Sequence, residues 1–280
     1  MLGGDLAVVV FGLASALSWG AGDFSGGLAT KRAPVFGVLA IGHGAGLLLL
    51  ILLALLWGEP LPSATDLAWG VAAGLAGAVG LASLYRALAV GQMGMVAPLS
   101  AVLTAALPAL FGVLTEGMPG ALKLVGFGLA LLAIWLVAGT GASVGTRRGL
   151  GLALLAGCGF GIFFILLHHA GASAIFWPLT AARIGSLGLV LPIALGRREF
   201  GPPDPRLLVP VLLSGVLDVA GNAFFVLAGQ AGRLDMAAII SSLYPASTVL
   251  LAALLLGERV MRVQVVGIVA ALAAIALIAS

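Results

Sequence analysis

Charge is what this chain has least of. Only 23 of its 280 residues are Asp, Glu, Lys or Arg, about a third of the share that is usual in soluble domains. Together with 62 % hydrophobic residues and a mean hydropathy of +1.24, this scarcity excludes a soluble globular domain. The segments between the apolar stretches are too short to form a domain outside the membrane. The protein therefore acts inside the bilayer or at its faces.

Cysteines and catalytic motifs are equally scarce. The single cysteine, Cys158, lies within an apolar stretch, closes no intramolecular disulfide, and is expected to pack as a small residue. The sequence contains no Gly-x-x-x-x-Gly-Lys phosphate loop, no His-Glu-x-x-His and no Ser/His/Asp set. His168 and His169 are adjacent, so on a helix they point about 100° apart and make a poor metal pair. We therefore expect no enzyme, no cofactor and no metal.

Nucleic acid is an unsuitable partner despite the net charge of +3. The basic residues stand beside the ends of apolar stretches, and no basic patch is interleaved with aromatic side chains. The expected partners are the lipid bilayer and a small-molecule substrate.

Ten apolar stretches of roughly 19–24 residues lie between the few charges, each long enough to cross about 30 Å of hydrocarbon as an α-helix. No Lys or Arg precedes the first stretch, so we predict a true span there and no cleaved signal peptide. The expected fold is an all-α integral membrane protein. Its predicted spans are residues 6–27, 35–57, 66–89, 95–115, 121–139, 149–169, 175–195, 208–229, 236–256 and 263–279.

The basic residues predict how the chain is oriented. Ten of the thirteen lie in or near the odd-numbered connections, whereas the even-numbered connections carry only Lys123 and Arg233. Basic residues favour the cytoplasmic side of a membrane. We therefore predict a multi-pass protein of the inner (plasma) membrane whose termini are both periplasmic or extracellular.

The two halves of the chain resemble each other. A pattern at residues 85–117, in spans three and four, returns more weakly at 225–259, in spans eight and nine, and Trp19-Gly20 corresponds to Phe160-Gly161. Five spans per half force the second copy to enter the membrane upside-down. We therefore predict two inverted five-helix repeats, residues 1–140 and 149–280, with substrate held near the midplane between them.

Several segments have counterparts in one group of membrane proteins. They are Trp19-Gly-Ala-Gly-Asp23-Phe24, Tyr85 with Ala87-Leu88, Glu116-Gly117, Pro245 in the middle of its span, and Gly257-Glu258-Arg259. The pattern resembles the drug/metabolite transporter superfamily in its ten-helix, EamA-type branch. The resemblance implies a carrier, in a family that includes exporters of amino acids and related metabolites, carriers of sugars and nucleotide sugars, and drug exporters. One departure is Leu103, which stands where the first half would need a proline to match Pro245.

Ionisable side chains at bilayer depth are costly, so each is a functional candidate. Asp218 lies near the middle of span eight, with Asn222 one turn later on the same face, and Arg183 lies near the middle of span seven. Either Asp218 receives a cargo ammonium or a proton, or Arg183 and Asp218 neutralise each other between neighbouring helices.

Two further ionisable groups lie in the first two spans. Trp19 and Asp23 are four residues apart, so they share a helix face and together offer a site for a cationic or zwitterionic amine. Alternatively, Asp23 is a solvated acid in the cytoplasmic vestibule. His43 either relays protons or, more commonly for a lone intramembrane histidine, bonds to the backbone of a neighbouring helix.

Hydroxyl groups and prolines mark spans four and nine. Ser100, Thr104 and Pro108 form a stripe along span four, and Ser242, Tyr244 and Pro245 lie together in span nine. Such hydroxyls line a polar cavity or bond helix to helix. Each proline removes a backbone donor and offers a bend point for gating.

We predict a secondary transporter that exports small metabolites, most readily amino acids or related compounds, by alternating access. Two alternatives remain: a drug or organic-cation exporter driven by proton exchange, and a membrane-embedded lipid-modifying enzyme. Spans one, three, four, six, eight and nine are expected to line the cavity, and spans five and ten to serve as supports or as the surface of a homodimer. The predicted substrate-binding residues are Trp19, Asp23, Tyr85, Ser100, Thr104, Phe160, Phe164, Asp218, Asn222, Ser242 and Tyr244, and the predicted gating residues are Pro98, Pro108 and Pro245.

Overall fold

The computed structural model describes residues 4–30, 32–90, 93–138, 150–200, 204–257 and 259–279, with only the backbone of 85–90, 93–98 and 150. Every regular element within these ranges is an α-helix. The helices are α1 Gly4–Thr30, α2 Val35–Leu56, α3 Ala64–Val90, α4 Met93–Glu116, α5 Ala121–Ala138, α6 Leu150–Ala170, α7 Phe176–Gly196, α8 Pro205–Ala231, α9 Leu234–Ser241, α10 Tyr244–Leu256 and α11 Arg262–Ala279.

The ten predicted spans are confirmed. Ten helical stretches are long and apolar enough to cross a membrane, and α9 and α10 together make one of them. Local signals set several ends. The Asp204 side chain accepts a hydrogen bond from the Arg206 amide (2.9 Å), and Pro205 occupies the first turn of α8. Gly257 ends α10 in the left-handed conformation, with φ 68°.

Span nine differs from the prediction. A continuous helix was expected over 236–256, but Ser242 and Leu243 separate α9 from α10 midway along the span. The physical reason is Pro245 in the first turn of α10, because its ring has no N–H to donate and blocks a continuous helix. The span therefore consists of two half-helices.

Helix packing shows the inverted repeat. Helix α1 packs along α8 just as α6 packs along α3, and α1 crosses α9 and α10 as α6 crosses α4. Three further pairs, α2 with α7, α4 with α9, and α5 with α11, join each helix to its own counterpart. These pairings exchange when the first five spans are mapped onto the last five, so the fold is two inverted five-helix repeats. The predicted boundary between them, 141–148, lies outside the described residues and stays a prediction.

Glycines allow the closest helix crossings. A Cβ on Gly74 of α3 would collide with the backbone of Ala182 on α7, and one on Gly185 of α7 would collide with Val71 on α3. At the counterpart crossing, a Cβ on Gly215 of α8 would meet the backbone of Gly42 on α2. The backbones therefore touch at both crossings, as small residues permit between membrane helices.

Candidate functional site

A cavity of about 430 Å³ lies between the two repeats, among α1 to α4, α6 to α8 and α10. This volume is within the range of small-molecule sites, about 300–1,000 Å³. At one end the lining residues Leu50 and Leu179 are buried, whereas at the other end Asp23 and Gly27 are exposed. The cavity therefore opens toward the face where α1 ends and α2 begins, and it is closed toward the opposite face.

Aromatic rings form the apolar wall at the centre of the cavity. The Trp19 ring stacks on Phe164 with centroids 5.2 Å apart, and it lies 6.0 Å from Phe225 and 6.4 Å from Tyr244. Gly221 makes room for the indole, because a Cβ there would lie 2.6 Å from its Nε1 atom. The cluster joins α1, α6, α8 and α10, so both repeats contribute to it.

An ion pair spans the opposite side of the cavity. The Arg183 guanidinium of α7 pairs with the Asp218 carboxylate of α8, whose side chain is 37 % exposed to the cavity. Asn222, one turn beyond Asp218, donates from Nδ2 to the Asp218 carboxylate (3.0 Å) and to its backbone carbonyl (2.7 Å). Of the two alternatives for these charges, the structure shows neutralisation between neighbouring helices.

His43 has a different partner from the one expected. Its Nδ1 atom lies 2.8 Å from the Ser186 hydroxyl on α7, so the expectation of a bond to a backbone group is wrong. Ser186 follows Arg183 by three residues on the same face of α7. The histidine and the ion pair therefore belong to one polar region that joins α2, α7 and α8.

Asp23 lies near the cavity mouth, one turn beyond Trp19, and makes no ion pair with any described residue. Three charged side chains line the cavity: Asp23, Arg183 and Asp218. Among the described lining residues, two carboxylates face one guanidinium, which leaves one net negative charge when all three are ionised.

Eight of the eleven predicted substrate-binding residues line the cavity. They are Trp19, Asp23, Thr104, Phe160, Phe164, Asp218, Asn222 and Tyr244. Ser100 and Ser242 are buried elsewhere; the Ser100 carbonyl accepts a hydrogen bond from the Thr104 hydroxyl (2.9 Å). The side chains of Tyr85 and Pro98 lie outside the described part of the chain. Pro108 is buried within α4.

Helices α2 and α7 also line the cavity, although they were not among the spans predicted to do so. They bring His43, Arg183 and Ser186 to it. The sequence signal for two of these residues was present, since Arg183 and His43 are ionisable groups at bilayer depth. In contrast, α5 and α11 contribute no residue to the lining and pack against each other, as expected for supporting helices.

Ten spans, two inverted repeats and a cavity between them define a multi-pass membrane protein with the architecture of a carrier. The sequence model of the EamA-like transporter family matches residues 147–280. The chain thus contains an EamA-like transporter domain, and membership of the drug/metabolite transporter superfamily follows. The family match supports a membrane transporter of small molecules.

A solved structure described as "Crystal structure of protein" superposes with a TM-score of 0.79 and 16 % sequence identity, covering 96 % of this chain and 95 % of that one. At this identity the likeness shows the fold alone. The comparison with curated proteins returned no match.

Proposed function

We propose that this protein exports small metabolites, most readily amino acids or related compounds, by alternating access between its two repeats. The observation that carries the proposal is the polar side of the cavity. In the described state Arg183 and Asp218 pair with each other. On loading, the pair would open, so that Arg183 receives the carboxylate of an amino acid and Asp218 receives its ammonium. Charge-assisted hydrogen bonds to a carboxylate and an ammonium are among the strongest that a site of this kind can form.

Asn222 adds an unpartnered acceptor beside the ion pair. Its Oδ1 atom is buried and has no hydrogen-bond partner among the described residues. An unpartnered buried acceptor costs free energy, and a cargo ammonium would satisfy it. The aromatic wall opposite, around Trp19 and Phe164, suits an apolar side chain.

The proposed orientation follows the basic residues, which favour the odd-numbered connections for the cytoplasm. Both termini would then lie outside the inner membrane. The cavity mouth at the end of α1 would face the cytoplasm, which is the side from which an exporter loads its cargo.

Replacing Asn222 by alanine is expected to lower amino-acid flux about tenfold, because the hydrogen bond to Asp218 and the unpartnered acceptor are both lost. The measurement is uptake into proteoliposomes of labelled neutral, aromatic, acidic and basic amino acids, with and without a pH gradient. Gly128→Ala in α5, where a Cβ meets nothing within 4 Å, is the matched control. If no amino acid shows saturable flux in the parent protein, the proposed cargo is wrong.

A second candidate function is export of organic cations in exchange for protons. The observation that favours it is Asp23, a carboxylate at the cavity mouth without an ion-pair partner among the described residues. One carboxylate can hold either a proton or a cationic cargo, which is the requirement for exchange of the two.

Replacing Asp23 by asparagine tests this candidate. With exchange at Asp23, uptake of tetraphenylphosphonium driven by a pH gradient is expected to fall at least tenfold, since the one unpaired charge among the described lining residues is removed. Amino-acid flux measured without a gradient should persist in the same variant if the first function holds. Gradient-driven cation flux that survives the substitution would eliminate Asp23 as the exchange site.

A further inference from the structure

Helices α2 and α7 end in the same way. In each, three consecutive amides bond back into the last turn: Trp57, Gly58 and Glu59 in one helix, and Arg197, Arg198 and Glu199 in the other. The middle residue is left-handed in both, with φ 62° at Gly58 and φ 57° at Arg198. This conformation is unfavourable for a non-glycine residue such as Arg198. The two helix ends are 140 positions apart in the sequence, and each places a glutamate at the equivalent position, Glu59 in one and Glu199 in the other.

Glu59 holds the start of α7. Its carboxylate accepts hydrogen bonds from three consecutive amides, those of Ile175 (2.7 Å), Phe176 (2.9 Å) and Trp177 (2.8 Å). The Trp177 indole N–H also donates to the Glu59 carbonyl (2.9 Å). The first amides of a helix have no partner within it and carry partial positive charge, so a carboxylate is a favourable partner for them.

Glu199 makes the reciprocal contact with the start of α2. Its carboxylate accepts a hydrogen bond from the Phe36 amide at 3.2 Å. The aromatic contacts correspond as well: the Trp57 ring lies 6.0 Å from Phe176, and the Arg197 guanidinium lies 5.2 Å from the centre of the Phe36 ring. Phe36 and Phe176 are again 140 positions apart. One arrangement is thus present twice, once at each face of the membrane.

The two arrangements are engaged unequally. Glu59 holds three amides of α7, whereas Glu199 holds a single amide of α2 among the described residues. The fully engaged glutamate stands at the closed face, near the buried cavity end at Leu179, and the weakly engaged one stands at the open face. The degree of engagement therefore matches the state of the cavity at each face.

A second set of contacts holds the closed face. The Glu116 carboxylate accepts from the Leu234 amide at the start of α9 (3.0 Å). Arg233 donates to the Gly117 carbonyl (2.6 Å) and pairs with Asp235 (2.6 Å), and the hydrogen bond to Asp235 raises the pKa of Arg233. The counterpart of Glu116 in the second repeat, Glu258, lies outside the described residues.

We propose that Glu59 and Glu199 are two reciprocal clasps that close the two faces of the cavity in turn. When the cavity opens at the Glu59 face, Glu59 releases the start of α7 and Glu199 takes up the first amides of α2. The clasped helices carry His43 and Arg183, each seven residues beyond the clasped phenylalanine, so the exchange also moves the polar side of the site. This inference rests on the alternating access proposed above.

Thiol labelling of the full chain in proteoliposomes tests the clasps. In a Cys158→Ser background, Thr30→Cys reports access at the open mouth and Leu179→Cys reports access at the closed end. Glu59→Gln is expected to lower the ratio of the Thr30→Cys to the Leu179→Cys labelling rate about tenfold, because hydrogen bonds to a charged acceptor are lost at one face only. Glu199→Gln is expected to raise the ratio, and the double variant to return toward the parent value.

Opposite shifts in the two variants are the signature of a reciprocal device, since a purely structural role would move both in the same direction. Shifts of equal sign, or an unchanged ratio, would overturn the proposal. Glu59→Asp, which keeps the charge on a shorter side chain, should shift the ratio in the same direction as Glu59→Gln and serves if the latter does not fold. The labelling needs no cargo, so shifted ratios without amino-acid flux would leave the clasps standing and reject only the cargo.

Discussion

Replacing Gly74 by alanine is expected to lower the free energy of unfolding by about 3 kcal/mol, at the upper end of the range for overpacking. The new Cβ would overlap the Ala182 backbone, including its Cα atom at 2.9 Å, and backbone atoms cannot swing aside as a flexible side chain can. Helices α3 and α7 must then separate. Thermal unfolding in detergent, followed by the loss of folded protein on size-exclusion chromatography, measures the effect.

Gly188→Ala on α7 is the matched control. A Cβ at Gly188 meets nothing within 4 Å, and alanine is favoured over glycine in a helix by about 1 kcal/mol. The control should therefore be neutral or slightly stabilising. Because the fold is a twofold repeat, Gly215→Ala at the counterpart crossing of α8 and α2 should cost about as much as Gly74→Ala. Equal stability of the Gly74→Ala and Gly188→Ala variants would mean that the helices do not cross as closely as described.

Replacing Asp218 by asparagine is expected to lower the free energy of unfolding by about 2 kcal/mol, less than the cost of breaking a fully buried ion pair, because the Asp218 side chain is 37 % exposed to the cavity. The reason is the Arg183 charge, which stays buried in the membrane without a partner. The asparagine keeps an oxygen that can accept the hydrogen bond from Asn222. The loss of stability is therefore due to the removal of the negative charge. Amino-acid flux should fall to background.

The double variant Arg183→Met/Asp218→Asn distinguishes the contribution of the ion pair to stability from the contributions of its two residues. Removing both charges should recover most of the lost stability, because no unpaired ion remains, while flux stays at background. The four proteins form a double-mutant cycle, measured by thermal unfolding. Equal destabilisation in the single and double variants would show that Arg183 finds another partner once Asp218 is gone.

The spans and their arrangement in repeats could be predicted from the sequence. A backbone in lipid must satisfy its own hydrogen bonds, so an apolar stretch of about 20 residues is predicted to form an α-helix. The predicted 35–57 and 121–139 are observed as Val35–Leu56 and Ala121–Ala138. The inverted relation of the halves also follows from the sequence, because each half has an odd number of spans.

The choice of cavity-facing helices could not be predicted in the same way. Lipid tails are as apolar as a protein interior, so no amphipathic stripe marks the buried face of α2 or α7. Only packing against α8 shows that Arg183 meets Asp218, and only packing of α2 on α7 shows that His43 meets Ser186. Polar residues could be identified as candidates, but their partners could not.

The sequence by itself determined ten helical stretches of spanning length, because a backbone in lipid must satisfy its own hydrogen bonds. It also determined their inverted arrangement, because the two halves are similar and each has an odd number of spans. Only the tertiary structure decided what joins the repeats. The contact of Glu59 with Phe176 links residues 117 positions apart, and the break before Tyr244 places an aromatic ring on Trp19. Such contacts depend on how the helices rotate and cross, which is set by close packing of small residues and not by any pattern local to one span.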